Sequence, residues 1–146
     1  MPIIEITYPA NALSQEKRRD LTTRLTPLIA KWEGQPENQL VINNTWVVLH
    51  EQPVGEFTVG AQPYTGETQP RYLVTIKTPQ GAFIADGKQG IADELTRAIL
   101  SVEGKEPGED AFLRIWCIFQ DVPDDSWSYG GRILSPREIA AITRRG

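Results

Sequence analysis

The sequence predicts an α+β fold: two tandem βαβ units forming one four-stranded sheet with two helices on one face, followed by a short C-terminal helix. Three observations predict it. Sliding the chain over itself by 70 residues brings the halves into register without a gap: Trp46 falls on Trp116, Pro53 on Pro123, Gly60 on Gly130 and Glu33-Gly34 on Glu103-Gly104. Each half reads strand, helix, strand, the pattern of a crossover between parallel strands. The length, 146 residues at 40% hydrophobic and 23% charged, suits one domain with enough apolar residues to bury a core. The units cover about 2–60 and 72–131 of a single domain 1–146. A polar link rich in Gly and Pro, 61–70, joins them, and a tail, 132–146, follows.

Residues 2–8 (PIIEITY) and 72–78 (YLVTIKT) are short, β-branched and apolar, so each reads as a first strand. In 14–31, with Trp32 just beyond, Leu21, Leu25, Leu28, Ile29 and Trp32 recur at helical spacing. Ser14 reads as the N-cap of this helix and Gly34 as its stop. Pro27 removes one internal hydrogen bond and is expected to bend it. The second helix spans 86–102, with Ile91, Leu95, Ala98, Ile99 and Val102 inward and Gly104 at its end. The second strands are read at 40–51 and 111–121, dense in Val, Ile, Leu, Phe and Trp. Trp46 and Trp116 read there as core, paired by the repeat. In the tail, Ser135-Pro136-Arg137-Glu138 supplies an N-cap, a proline at the first helical position and a Glu at the third. Two helices cover one sheet face only. The other carries large apolar groups, the chain has no further element to cover it, and a second subunit is the expected partner.

A net charge of −4 argues against a general nucleic-acid or membrane-surface role. No apolar run approaches the roughly 18 residues needed to span a bilayer. The opening MPIIEITYPA lacks the basic stretch and long apolar core of a secretory signal, so a cytoplasmic location is expected. One cysteine forms no internal disulfide, and one histidine with one cysteine builds no zinc site alone, so no metal is expected. Nucleophilic triad chemistry would have to use the single His50. That residue, beside Glu51 at a strand end, reads as structural, with a general base as the other reading. Cys117 reads as a small buried apolar residue, Asp124-Asp125 as turn residues, and Lys17-Arg18-Arg19 as a solvated helix face. Gly130-Gly131 serve backbone shape, since no helix follows them directly to bind phosphate.

A chain that opens Met-Pro-Ile-Ile-Glu-Ile and continues as βαβ resembles the tautomerase superfamily, whose members use an N-terminal proline exposed by removal of the initiator Met. Residues 49–60, LHEQPVGEFTVG, are similar to the segment that closes the unit in 4-oxalocrotonate tautomerase. The stretch HEQPVGEFTVGAQ also resembles cis-3-chloroacrylic acid dehalogenase, and QDVPDDSWSYGGR, 120–132, resembles malonate semialdehyde decarboxylase. The length and the duplicated unit fit the fused members, which the family builds as trimers. The resemblance implies a cofactor-independent tautomerase that uses Pro2 on a small enolisable 2-oxo acid, as a homotrimer. Decarboxylase-, hydratase- or dehalogenase-like chemistry and a non-catalytic ligand-binding trimer stay open beside it.

Methionine before a small residue such as proline is normally removed, and Pro2 then carries a secondary amine. Burial among apolar groups disfavours the ammonium form, so the amine loses its proton near neutral pH and can act as general base at carbon next to a carbonyl. As a cation it can instead donate a proton or polarise a carbonyl. The enolate that develops needs donors or cations near its oxygen. Relatives carry arginines after the third strand; this chain has Lys77-Thr78-Pro79-Gln80-Gly81. Trp46 or Trp116 stands where the arginine of 4-oxalocrotonate tautomerase would fall. Ile118 and Tyr129 stand where the dehalogenase has its tyrosine and its acidic water-activating residue, which argues against dehalogenation by activated water. The candidate substrate-binding residues are Arg71, Lys77, Gln80, Arg114, Trp116, Trp127 and Tyr129, with Asn44 and Arg132 near them. Arg114 and Trp116, two apart on one strand, are expected to share a face and hold an aromatic or enolic acid. Lys77 reads first as a solvated strand-end charge. Trp127 and Tyr129 read either as a lid over the pocket or as a plug in a subunit contact.

Overall fold

In the computed structural model, which describes residues 2–144, alternation of side chains gives β1 (Ile3–Pro9) one dry face. Ile4, Ile6 and Tyr8 are buried, while Ile3, Glu5 and Thr7 lie on the opposite, half-open face. Helix α1 (Gln15–Trp32) starts where the Ser14 hydroxyl accepts from the Lys17 N–H at 3.2 Å. It continues through Pro27 and buries Leu21, Leu25, Ile29 and Ala30. After it come α2 (Gln39–Asn43), β2 (Trp46–Gln52) and a hairpin of β3 (Thr58–Val59) and β4 (Gln62–Pro63). The second half repeats the order: β5 (Tyr72–Pro79), α3 (Ala85–Glu103), α4 (Glu109–Arg114), β6 (Ile115–Val122), and the hairpin β7 (Ser128–Tyr129) and β8 (Arg132–Ile133). Gly104 ends α3 in the left-handed region at φ 77°. Helix α5 (Pro136–Thr143) opens on a full capping box between Ser135 and Glu138.

Three boundaries differ clearly from the sequence reading. The stretches 40–51 and 111–121 are not strands throughout; each begins as a short helix. At α2 the Asn38 side chain accepts from the Leu40 and Val41 N–H groups, at 3.0 and 3.2 Å. These bonds fix one helical turn in an apolar run too short to show helical periodicity. The link also begins later than residue 61, because Gln62–Pro63 pairs back on Thr58–Val59.

The sheet order is β2-β1-β5-β6. β1 runs parallel to β2 and β5 parallel to β6, while β1 and β5 pair antiparallel in the middle. Glu5 pairs with Thr75, its own counterpart under the 70-residue offset. A local pseudo-twofold axis therefore passes between these two residues and relates the two ends of the sheet. α1 and α3 pack together over one face, around Ile4, Ile6, Val74, Ile76, Leu25 and Leu95. The opposite face exposes Trp46, Val48, Trp116 and Ile118. Trp46 and Trp116 are 61% and 62% exposed, so neither is core in the chain. The repeat does pair them, but on the face that the helices leave open.

The helix pair meets closely at Gly90, where an added Cβ would lie 2.1 Å from Trp32 Cη2. Alanine favours a helix interior by about 1 kcal/mol over glycine, but overpacking costs about 1–3 kcal/mol. Gly90→Ala is expected to lower stability in denaturant titrations, and to raise it by about 1 kcal/mol in a Trp32→Ala background. The same sign in both backgrounds would refute the close approach.

Candidate functional site

The strand register sorts the candidate residues into two groups. Ile3 pairs with Lys77, and Lys77 with Gln120, at one end of the sheet. Thr7 pairs with Leu73, and Leu73 with Trp116, at the other. Pro2 precedes Ile3, is buried, and its carbonyl accepts from the Trp46 N–H at 3.2 Å. Removal of Met1 concerns a residue outside the described ones.

At the Pro2 end, Ile3 lines two adjoining cavities. One of about 420 Å³ is walled by Asn44, Trp46, Trp127, Ser128 and Tyr129. The second, of about 230 Å³, reaches Lys77, Val122 and Trp127. The hairpin β7–β8 places the aromatic wall: Gly130 and Gly131 take φ 59° and 84°, as a tight two-residue turn between antiparallel strands demands. The rings of Trp127 and Tyr129 stack at 6.0 Å with an interplanar angle of 10°. The Tyr129 hydroxyl is buried with no hydrogen-bond partner among the described residues. Burial first, and the Glu33 carboxylate second, push its phenol pKa up, so it stays a neutral donor. Gln80 lies at the same end through its N–H to the Val122 carbonyl, 2.8 Å, but does not line these cavities.

Lys77 is not simply solvated. Its ammonium sits 2.6 Å from the Glu5 carboxylate, and His50 Nε2 is 3.7 Å from the same group. The hydrogen bond from Lys77 holds the Glu5 carboxyl below its usual range, against an opposing effect of burial. His50 therefore faces Glu5 and not its sequence neighbour Glu51, because successive strand side chains point to opposite faces. Glu51 instead takes Arg18 at 2.9 Å. Glu5 was not among the candidate residues, although it is the single charge in an otherwise uncharged strand.

Arg71, Arg114 and Trp116 gather at the far end, away from Pro2. Arg114 closes helix α4, so it does not share a strand face with Trp116. Its guanidinium is buried on Glu103 at 3.0 Å, with further bonds to the Pro70 carbonyl and to Asp110. Tyr72 donates to the same Glu103 at 2.9 Å. Cys117 is half-buried, and burial pushes its thiol up to about 12, which leaves no thiolate for nucleophilic chemistry.

No protein-family model and no curated protein matches the sequence. Solved structures do. Pt0534, inactivated by 2-oxo-3-pentynoate, superposes with a TM-score of 0.73 over 94% of this chain and 98% of that one, at 20% identity. A wild-type fused 4-OT, solved as an asymmetric trimer, gives 0.72 over the same shares at 16% identity. The chain has the fused tautomerase fold. A member of the cis-3-chloroacrylic acid dehalogenase family shares it, with a TM-score of 0.69 over 99% of both chains at 13% identity. Within this tautomerase fold Pro2 immediately precedes the first strand and the second unit's closing hairpin supplies the cavity wall. Neither hairpin wall nor Glu5 has a periodic sequence signature; Gly130-Gly131 was the one local signal for the turn.

Proposed function

We propose that the chain is a tautomerase-superfamily enzyme that moves a proton between carbon and oxygen of a small enolisable 2-oxo acid without a cofactor. The observation that carries this reading is Pro2, buried at the head of β1 where the Trp127–Tyr129 cavity opens and Lys77 stands nearby. A free, neutral Pro2 nitrogen takes the proton from the carbon next to the keto group. The C–H electron pair becomes a C=C bond and the carbonyl electrons move to oxygen. The Lys77 ammonium and the neutral Tyr129 phenol are the donors available to that oxygen. The protonated proline then gives that proton to the enolate oxygen, and in ketonisation the same neutral amine takes the enol O–H proton and returns it to carbon. A fold neighbour inactivated by 2-oxo-3-pentynoate supports beginning with 2-oxo acids.

The first assay is ketonisation of phenylpyruvate enol, followed by loss of the enol absorbance, with a chain that begins at Pro2. Pro2→Ala is expected to cost about a hundredfold or more in kcat/KM, the usual share of a positioned base. Equal rates for the variant, or no acceleration of any enolisable acid, would sink this reading. A non-catalytic ligand-binding trimer would then be the better account. The pairing of Lys77 with Glu5 favours that second reading, since it partly neutralises a cation at the Pro2 end of the sheet.

We also propose a homotrimer. The open sheet face around Val48 and Ile118 supports it, as does the trimeric fused 4-OT among the fold neighbours. Sedimentation at micromolar concentration is expected to give three times the chain mass, and Ile118→Lys a smaller species. A compact wild-type monomer would refute the assembly.

A further inference from the structure

We infer that the chain carries a second ligand site, a non-catalytic pocket for a small aromatic or branched carboxylate, at the end of the sheet opposite Pro2. The pseudo-twofold axis maps the Pro2 cavity onto a pocket of about 430 Å³. Under the 70-residue offset, Leu73 stands for Ile3, Trp116 for Trp46, Arg114 for Asn44 and Phe57 for Trp127, and the two members of each pair line corresponding positions of the two pockets. The chemistry differs in two ways. Tyr72 takes the place of Pro2, so its nitrogen lies in a peptide bond and cannot act as a base. Arg71 lines the pocket and adds a cation.

The charges decide the class of ligand. Arg114 is spent on Glu103, whose carboxylate faces the core. Arg71 makes one hydrogen bond, to the Leu113 carbonyl, and among the described residues no carboxylate pairs with it. A guanidinium has five donors, so most of its capacity is left over. Around it stand Phe57, Val59, Leu73, Leu113 and Trp116, an apolar wall that a neutral polar molecule would not repay. A single unpaired cation in an aromatic pocket recognises an anion with an apolar body, and the guanidinium geometry fits a carboxylate. The pocket lies at the Thr7–Leu73 end of the sheet, so it is separate from the proton-transfer site proposed for Pro2. The proposal does not depend on that reaction.

The test is titration of the 15N-labelled protein with phenylacetate, and with 2-phenylethanol as the uncharged control, reading the tryptophan indole N–H signals. The Trp116 indole, which donates to the Phe112 carbonyl at 3.1 Å, reports on this pocket, and Trp127 reports on the Pro2 cavity. Phenylacetate is expected to shift the Trp116 signal saturably, and phenylethanol to leave it in place. Arg71→Gln is expected to weaken phenylacetate by about ten- to hundredfold, the usual worth of hydrogen bonds to a charged group. Val59→Asp, an exposed hairpin substitution that sets a carboxylate against the ligand, is expected to do the same. Trp127→Ala is expected to leave the Trp116 titration unchanged. An unmoved Trp116 signal, equal response to the alcohol, or full binding by either Arg71→Gln or Val59→Asp overturns the proposal. The readout needs no turnover, so its failure leaves the Pro2 reading standing, and loss of Pro2 activity leaves this one standing.

Discussion

Protein that retains Met1 is expected to show no tautomerase activity above the uncatalysed rate, while protein processed to Pro2 accelerates enol ketonisation. The reason is the nitrogen's electronic state. Joined to Met1, the Pro2 nitrogen shares its lone pair with a carbonyl in a planar amide and has no useful basicity. Freed, it is a secondary amine. An α-amino group ordinarily titrates near 8, and burial of such a group disfavours its ammonium form. The base form is the deprotonated one, so kcat/KM should fall as pH drops through the amine's pKa and level off above it. The expected contrast between the two preparations is about a hundredfold or more. Intact-mass measurement of each sample fixes which N-terminus is being assayed. Equal activity from both forms, or a pH profile that rises toward acid, would contradict proline as the base.

The parts of the fold with a long repeat or a strong period were legible in the sequence, and the parts set by a single side chain were not. Leu21, Leu25 and Ile29 on one helix and Ile91, Leu95 and Ile99 on the other gave the core, because burial on a helix repeats every three or four residues. Ser135 and Glu138 announced α5 because a capping box is a local chemical pattern. Helix α2 depends on bonds from Asn38 within one turn, and no period survives over five residues. Trp46 and Trp116 were misplaced for a different reason. Apolar content shows that a strand face avoids water, but not whether this chain or another covers it.

The candidate site divided along the same lines. Ile3, which follows Pro2, shares a cavity with Trp127 and Tyr129 because the second unit's hairpin lies beside the head of the first strand. Spacing within one strand could not show that Arg71 and Trp116 belong to the opposite end, because an antiparallel pairing in the middle of the sheet reverses the second unit. Only the register settles which end each residue joins.

Arg114→Met is expected to be the most destabilising single change at a charged residue, and to act on stability and not on substrate affinity. Arg114 is 5% exposed and Glu103 6%, and their closest atoms are 3.0 Å apart. Among the described residues, removing the guanidinium leaves a buried carboxylate with only the Tyr72 hydroxyl at 2.9 Å and the more distant Lys105 ammonium at 3.9 Å. Breaking one side of such a pair costs about 3–5 kcal/mol. At about 2–4 °C per kcal/mol for a chain of this size, the melting temperature should fall by roughly 10 °C. Part of the loss comes from the uncompensated charge, so Glu103→Gln in the same chain should recover part of it, since a neutral amide tolerates burial better than an ion. The Tyr72 phenol, pushed up first by burial and then by the Glu103 carboxylate, would lose part of that shift in the double variant. Denaturant titrations at matched protein concentration check the order, because assembly would otherwise shift the apparent stability. A loss below about 1 kcal/mol for Arg114→Met, within the range of an exposed ion pair, would show that the pair is not buried in solution. A raised KM at unchanged stability would return Arg114 to the substrate-binding residues.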